Sequence, residues 1–327
     1  MRCLLEQAAT AWDRGGAVRQ VLEPFAHEPA GAAVPLRFAA ALHRLVLTGH
    51  APELAAHYPT AGGTAPPAQA WPAASRVIAE HAEQLRILIA LPCQTSEVGR
   101  AVPLLRGLSE VARRTGRPVS LLEIGASAGL NLLVDRFRYG SAFGPAHSPC
   151  VLPDPGAPVH PVLRIAERAG CDPAPLDPST EEGRLRLRSS IWGDQPDRMH
   201  RLLGALAVAA QERVPVVQEG AGDWLGERLA GRCQEAEAVP VVWHSIVRTY
   251  VDPGEWTRVE AVTSRPGVWR LSYEPDPAEH QRGIPLRLRG PGTGSAGEVL
   301  AYGAAHGPPL VDPEPRRAGS VRHAGRR

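Results

Sequence analysis

The chain has 327 residues, 43% of them hydrophobic, and a formal net charge of +2 at pH 7. This length suffices for one large or two ordinary domains, the apolar fraction argues against a disordered chain, and the small charge argues against a nucleic-acid partner. The chain has no run of 18 uninterrupted apolar residues, and its first residues lack the basic start and apolar stretch of a secretory signal. We therefore expect a soluble cytoplasmic protein without a membrane segment.

Two further features of the composition narrow the chemistry. All 36 residues counted as lysine or arginine are arginine, which excludes P-loop, Schiff-base and pyridoxal phosphate chemistry that depends on a lysine amine. The five cysteines are scattered without a Cys-x-x-Cys pair, and the histidines form no His-Glu-x-x-His motif. Free thiols and the absence of a metal centre are therefore expected.

Helical spacing of apolar residues dominates the first third of the chain. It predicts helices at 34–48, 75–91 and 96–115, while the proline-rich and glycine-rich stretch 59–74 predicts a linker or surface loop. From residue 119 apolar runs of strand length alternate with helical patterns, which is typical of a mainly parallel sheet. The predicted strands are 119–124, 162–166, 214–218, 239–244 and 268–273, with a helix near 196–211.

Near the C-terminus, alternating apolar residues at 284–288, turn residues at 290–294 and a further run at 298–302 predict an antiparallel hairpin. The predicted fold is therefore α/β, with a Rossmann-like, mainly parallel sheet that ends in the hairpin and follows an N-terminal helical segment. The predicted domains are a helical region at 1–116, an α/β domain at 117–312 and a disordered basic tail at 313–327.

The segment 119–135 (VSLLEIGASAGLNLLVD) carries the main functional signal. It is predicted as a strand, a tight turn and an amphipathic helix, and the small residues at 125–129 let the backbone approach a ligand near the helix N-terminus. Glu123 places a carboxylate at the end of the strand. A negative charge there suits the cationic sulfonium and ammonium groups of S-adenosylmethionine better than a pyrophosphate.

This segment resembles motif I of class I S-adenosylmethionine-dependent methyltransferases, an acidic residue followed by Gly-x-Gly-x-Gly, with Ser127 in place of the middle glycine. A second run, 219–224 (EGAGDW), resembles the Gly-Asp turn that these enzymes place beside the adenine, so Asp223 would accept from the adenine amine. The cofactor-binding residues that this resemblance implies are Glu123, Gly125, Ala126, Ser127, Gly129, Asn131, Asp223 and Trp224.

The whole chain also resembles the bacterial family known as domain of unknown function 2332. The resemblance rests on 94–100 (QTSEVGR), 123–135, 191–195 (IWGDQ) and the pair His244-Ser245. Since no activity is established for that family, the resemblance supports a fold more than a function.

A different reading of the same turn favours a hydrolase. Residues 125–129 also fit Gly-x-Ser-x-Gly, the nucleophile elbow, and Asp252 followed by His306 would complete a Ser-Asp-His order. Against this reading, the carboxylate of Glu123 would oppose ionisation of Ser127. The methyltransferase-like interpretation is therefore preferred.

Other polar residues have both a functional and a structural reading. Asp172 either binds ribose hydroxyls or forms a turn, and His244 is either a general base at the end of the fourth strand or a buried histidine satisfied by backbone. Tyr250 is the other catalytic candidate. A further group shares one face of a predicted helix and either covers the ligand or caps the helix: Gln94, Glu97 and Arg100.

Three functional hypotheses follow. The first is a methyltransferase that uses S-adenosylmethionine and acts on a small or medium acceptor, the second is a serine hydrolase that uses Ser127, and the third is a cofactor-binding protein without transfer activity. The expected partners are therefore a small-molecule cofactor and an acceptor. The sequence predicts neither the acceptor nor an oligomeric state.

Overall fold

The N-terminal helices surround an apolar core of their own. The computed structural model describes residues 1–92, 94–141, 143–230 and 237–313. The first helices are α1 (Arg2–Arg14), α2 (Ala17–Leu22), α3 (Val34–Leu47), α4 (Pro52–Ala55), α5 (Trp71–Glu80) and α6 (Ala82–Ile89). Helix α3 matches its prediction, whereas the predicted helix 75–91 is divided because the backbone at His81 (φ −115°, ψ 27°) leaves helical geometry.

The prediction of a linker at 59–74 is wrong. This stretch holds the 3-10 turns Pro59–Ala61 and Pro67–Gln69 and the beginning of α5, and Ala70, Ala73 and Ala74 are buried. The prolines lie in the first turns of these elements, where a missing N–H costs nothing. Their effect is to start helical turns rather than to interrupt them.

One segment, Ala30–Leu47, is long and apolar enough to cross a membrane by length and composition alone, with a mean hydropathy of 1.3. A buried core helix meets the same criterion. In this structure 44% of the segment is buried, and Phe38, Leu42 and Leu45 lie in the core of the N-terminal helices.

A mixed eight-stranded sheet follows the helices. Its strands are β1 (Val119–Ile124), β4 (Ile165–Asp172), β5 (Val216–Gln218), β6 (Val239–Ser245), β7 (Trp269–Tyr273), β8 (Ile284–Arg289), β9 (Glu298–Ala304) and β10 (Gly307–Val311), while β2 (Arg138–Tyr139) and β3 (Val151–Leu152) form a separate pair. The order in the sheet is β5-β4-β1-β6-β7-β8-β9-β10, parallel from β5 to β7 and antiparallel beyond. The predicted α/β class, the largely parallel sheet and its antiparallel end are confirmed.

Helices cover both faces of the parallel strands. The remaining helices are α7 (Ala101–Thr115), α8 (Glu181–Ser189), α9 (Pro196–Ala209), α10 (Ala221–Arg228) and α11 (Pro253–Thr263). Leu121 of β1 belongs to the cluster that contains residues of α7 and α9, whereas its neighbour Leu122 belongs to the cluster with residues of α10 and α11. Residues of α7 belong to the apolar cluster of the sheet, and the division between this cluster and the cluster of the N-terminal helices falls between Ile89 and Val98.

Strand β4 was predicted at 162–166 but spans Ile165–Asp172. Its apolar run is interrupted by Glu167 and Arg168, which lie within the sheet because each has a partner. Ser120 Oγ donates to Glu167 Oε2 at 2.9 Å, and Arg168 donates to both oxygens of Asp135 at 2.7 and 2.9 Å. Hydrophobic patterning alone therefore misplaces this strand.

Two further predictions need correction. The helix expected after the glycine turn is the 3-10 segment Leu130–Arg136, and Leu130 to Val134 are all buried rather than arranged on one face. Strand β10 was not predicted because Pro308 and Pro309 resemble a breaker, but an edge strand tolerates proline. Of the predicted basic tail at 313–327, residues 314–327 lie outside the described residues.

The chain order creates a crevice at one edge of the sheet. From β1 the chain runs outward to β4 and β5 and then returns to β6 on the opposite side of β1. The connections that leave β1 and β6 therefore diverge at the carboxyl ends of the strands. In open α/β sheets such a reversal of strand order is where ligands bind.

The helical region joins the α/β region around residues 191–195. His43 Nδ1 lies 2.6 Å from the Ile191 carbonyl oxygen, and Thr60 N donates to the Gly193 carbonyl oxygen at 3.1 Å. Gly193 lies against the ring of Tyr58, which is 2% exposed, and a Cβ added at Gly193 would be 2.0 Å from Tyr58 Cδ1. The junction therefore depends on a residue without a side chain.

We expect Gly193→Ala to lower the free energy of unfolding by about 1–3 kcal/mol, because the enclosed Tyr58 ring cannot move away from the added methyl group. The matched control is Gly226→Ala in α10, where an added Cβ meets nothing within 4 Å. This control should raise stability by up to about 1 kcal/mol through helix propensity. Urea denaturation of both variants measures the difference, and equal stability of Gly193→Ala and wild type would contradict the proposed junction.

Candidate functional site

A cavity of about 910 Å³ lies at the carboxyl ends of the parallel strands. Its wall combines the turn after β1, the ends of β4 and β5, the segment after β6, residues 94–100 and parts of the N-terminal helices. The volume falls in the range of sites for small molecules and cofactors. The reversal of strand order and the cavity thus coincide.

The turn between β1 and the following 3-10 segment requires its glycines. Gly125 has φ 68°, and an added Cβ would lie 2.3 Å from Val247 Cγ2. Gly129 has φ 70°, and a Cβ added there would lie 2.8 Å from Val216 Cγ2. Ser127, with φ 53°, adopts the left-handed conformation without being glycine, which strains the backbone.

Asp172 holds this turn in place. Its Oδ2 accepts from Ser127 N at 2.9 Å, and its Oδ1 accepts from Ala174 N at 2.9 Å and from Gln94 Nε2 at 3.2 Å. One carboxylate therefore ties the end of β4 to the turn after β1 and to the segment before α7. The structure brings Asp172 and Gln94 to the cavity, as their functional readings require, but it also gives both a structural role.

Glu123 lies at the end of β1 and is 3% exposed. Burial raises the pKa of Glu123 to about 8, and the charge of Asp172 adds to the effect, while the side chain of Asn131, the charge of Arg100 and the side chain of Trp243 oppose it. At neutral pH the side chain is therefore mostly protonated. The sequence reading assumed a carboxylate at this position, and burial is the reason for the difference.

Several buried polar atoms in the cavity wall have no hydrogen-bond partner within the described part of the chain. Three of them lie close to the turn after β1: Glu123 Oε2, Ser127 Oγ and Asn131 Oδ1. Buried polar groups in folded proteins are almost always paired. These atoms therefore mark the part of the wall where a polar ligand would be held.

A charged cluster on another part of the wall joins residues far apart in the sequence. Glu97 Oε2 accepts from Arg198 Nε at 2.6 Å, Glu97 Oε1 accepts from Gly99 N at 3.1 Å, and His306 Nδ1 lies 3.2 Å from Oε2. Burial of Glu97 favours its neutral form, but the contact with His306 and the charge of Arg198 outweigh burial and lower the pKa of Glu97 to about 2. Sequence reasoning missed Arg198, although it follows the segment 191–195 by three residues.

Three predicted cofactor residues do not line the cavity: Gly129, at the end of the turn after β1, Asp223 and Trp224. Asp223 is the third residue of α10, and its side chain is 70% exposed and lies 3.5 Å from Arg258. Trp224, the next residue of α10, is buried in the apolar cluster that α10 and α11 form with the sheet. Glu219, which directly follows β5, lines the cavity instead, together with Glu255. The residue next to a strand end reaches the crevice, whereas Asp223 has already entered the helix.

The two catalytic candidates differ in position. His244 does not line the cavity: its Nδ1 lies 2.8 Å from Glu274 Oε1, and its ring contacts Trp256 with centroids 5.1 Å apart. This is the buried histidine of the structural reading: its Nδ1 is satisfied by a carboxylate rather than by backbone, while its Nε2 has no partner among the described residues. Tyr250 lines the cavity and is 54% exposed.

The structure does not assemble the serine triad of the hydrolase reading. Ser127, Asp252 and His306 all line the cavity, but the Ser127 hydroxyl has no hydrogen-bond partner among the described residues. His306 lies beside Glu97, and Asp252 Oδ1 caps α11 by accepting from Gly254 N at 2.8 Å and from Glu255 N at 3.3 Å. Each proposed partner of the serine is thus engaged elsewhere.

In the described residues, no group of three or more histidine, cysteine, aspartate or glutamate side chains is arranged to hold a metal ion. Cys3, Cys150 and Cys171 are free thiols. Cys93 and Cys233 lie outside the described residues.

Fold and cavity together define an α/β protein with a ligand-sized site at the carboxyl ends of its parallel strands. Residues 1–311 match the model of the family described as "uncharacterized protein conserved in bacteria", domain of unknown function 2332, and the chain belongs to this family. No curated protein matches the chain, and no solved structure does. Each segment that carries the family resemblance contributes to the cavity wall, through Gln94, Glu123, Trp192 and Ser245 respectively.

We expect Glu123→Gln to become progressively more stable than wild type as the pH rises from 5 to 8. In this window the folded protein retains the Glu123 proton, because its pKa is about 8, whereas an unfolded chain has already released it. The wild type therefore loses stability with rising pH, and the variant does not. The expected relative gain is about 3–4 kcal/mol, since each pH unit in this window contributes about 1.4 kcal/mol.

Urea denaturation at several pH values measures this gain. Glu83→Gln, on the exposed side of α6, is the control and should follow the wild type at every pH. Parallel curves for wild type and Glu123→Gln would show that Glu123 is not titrating near pH 8 in the folded protein.

Proposed function

We propose that this protein binds S-adenosylmethionine in the cavity and transfers its methyl group to a small or medium acceptor. The observation that carries the proposal is the buried carboxyl of Glu123, which has an oxygen without a partner among the described residues and lies at the end of β1 before a turn whose glycines leave no room for a side chain. The parallel strand order β5-β4-β1-β6-β7 supports a Rossmann-like assignment, in which a nucleotide-type cofactor lies over this turn.

The charges near the strand ends support a cationic ligand. Glu219 and Glu255 line the cavity on the side of β5, and Asp172 lies between them and Glu123 along the edge of the sheet. A sulfonium or ammonium group close to Glu123 would favour its ionised form. Binding of the cofactor at neutral pH would therefore release a proton from Glu123.

Catalysis in this proposal depends mainly on positioning, because methyl transfer requires the acceptor atom to lie in line with the sulfonium carbon. Tyr250 lines the cavity and remains the candidate for contact with the acceptor, and His306 joins it. His244 is assigned no such contact, since it does not line the cavity. Asp223 and Trp224 are likewise left out of the cofactor site.

The first test is calorimetry with S-adenosylmethionine, S-adenosylhomocysteine and NAD. We expect S-adenosylmethionine to bind and its affinity to rise between pH 6 and 7.5, by at most about tenfold per pH unit, because Glu123 must lose its proton. Glu123→Gln should bind more weakly and without this dependence on pH. Binding of NAD alone would refute the proposal.

A protein that binds the cofactor without transferring its methyl group would give the same calorimetry. Incubation with methyl-labelled S-adenosylmethionine and fractionated small-molecule extract separates the two cases. Label recovered in a new product supports transfer, whereas tight binding with no labelled product in any fraction favours a cofactor-binding role.

The serine hydrolase remains a second candidate because of one observation. Ser127 has the positive φ that a nucleophile elbow requires, and its hydroxyl is buried without a partner in the described chain. We nevertheless expect no labelling by a fluorophosphonate probe, since no histidine among the described residues is bonded to the serine to accept its proton. Mass spectrometry of wild type and Ser127→Ala tests this expectation: stoichiometric labelling that disappears in the variant would favour the hydrolase.

A further inference from the structure

The cavity is acidic on one side and basic on the other. The acidic side follows the ends of β1, β4 and β5 and comprises Glu123, Asp172 and Glu219. The opposite side comes from α3, the 3-10 turn before α7, helix α9 and the turn between β9 and β10, and its basic residues, Arg37, Arg100, Arg198 and His306, outnumber the two glutamates among them, Glu28 and Glu97. The proposed cofactor accounts for the acidic side only.

Arg100 differs from the other arginines of the basic side. Arg37 pairs with Glu28, and Arg198 pairs with Glu97. Arg100 donates from Nε to the Ala305 carbonyl oxygen and from Nη1 to the Ser245 carbonyl oxygen, both at 3.1 Å, and forms no ion pair with any described residue. Its guanidinium is thus fixed in position by neutral acceptors.

Two carboxylates, Glu97 and Glu274, interact electrostatically with Arg100, but each is bound by other groups. Burial lowers the pKa of Arg100, and the charges of Glu97 and Glu274 oppose the shift. Glu97 is held by Arg198, while Glu274 Oε1 lies 2.8 Å from His244 Nδ1 and accepts from Val247 N at 3.0 Å. A largely buried cation without its own counterion is costly, and an anion supplied by a ligand would offset that cost.

We propose that Arg100, with Arg198 beside it, binds a carboxylate group of the methyl acceptor, so that the substrate class is a small carboxylic acid. A planar guanidinium suits the geometry of a carboxylate. In Arg100 two carbonyl oxygens fix Nε and Nη1, and Nη2 is left to donate to a ligand. The inference rests on the proposed function for the role of acceptor.

The position of Arg100 favours the acceptor over the cofactor as the source of the carboxylate. Its contacts are with Ser245 at the end of β6 and with Ala305, across β1 from β4 and β5. The cofactor is proposed to lie on the β1, β4 and β5 side. The two ligands would therefore occupy opposite sides of the point where the strand order reverses.

The first arm of the test uses acetate, benzoate and phenylacetate as probes, each compared with its neutral amide at equal ionic strength. Thermal denaturation of the full chain should show that the acids, and not the amides, raise the Tm of the wild type. In Arg100→Gln the apparent affinity for the acids should fall by roughly tenfold or more. Arg100→Lys, which keeps the charge but not the planar donor group, should bind with intermediate affinity, and it serves as the second variant if Arg100→Gln does not fold.

The matched control is Arg265→Gln, an exposed arginine outside the cavity, which should behave as the wild type. Equal protection of wild type and Arg100→Gln by the acids would overturn the proposal. A wild type that does not distinguish the acids from their amides would overturn it as well.

The second arm identifies the source of the carboxylate. S-adenosylhomocysteine carries a carboxylate, and 5′-methylthioadenosine does not, so calorimetry with both compounds reports on the cofactor alone. Because the charge of Arg100 also acts on Glu123, we expect any change of affinity in Arg100→Gln to be the same for both compounds. If only S-adenosylhomocysteine binds more weakly, Arg100 holds the cofactor instead of the acceptor and the proposal is overturned. Failure of the wild type to bind either compound would refute the proposed function, while the first arm would still measure the carboxylate site.

Discussion

The carboxylate of Asp172 is the interaction on which the cavity depends. It accepts hydrogen bonds from Ser127 N, Ala174 N and Gln94 Nε2, and thereby joins β4, the turn after β1 and the segment before α7. Hydrogen bonds to an ionised acceptor are stronger than neutral ones, which suits a group that must hold a strained turn. The same charge contributes to the raised pKa of Glu123. Asp172 therefore contributes both to the shape of the cavity and to the protonation of Glu123.

The fold was predictable where the sequence pattern reflects burial on both faces of the sheet. Strands β1, β6 and β7 are short apolar runs because helices cover them on both sides, and they lie within one residue of their predicted limits. Strand β4 was misplaced because the partners of Glu167 and Arg168 come from other segments. The buried alanines of α5 carry no pattern that distinguishes a close-packed helix from a flexible linker, so 59–74 was misread.

Only part of the site follows from local sequence. Residues at a strand end, such as Glu123 and Asp172, reach the cavity because parallel strands present their carboxyl ends at one edge. The pairing of Glu97 with Arg198 joins positions 101 residues apart, and no local pattern specifies it. The protonation of Glu123 also required the structure, since it depends on how completely the surrounding helices exclude water.

The left-handed conformation of Ser127 affects which residue types can occupy the centre of such a turn. Glycine at this position would adopt the same backbone with less strain, whereas serine is tolerated because Asp172 holds its N–H and the cavity wall encloses its hydroxyl. Gly-x-Ser-x-Gly and Gly-x-Gly-x-Gly are therefore two sequences that can adopt the same backbone conformation. In this chain the identity of the residue at position 127 affects the strain of the backbone, and the chemistry of the site must be recognised from the side chains around the turn.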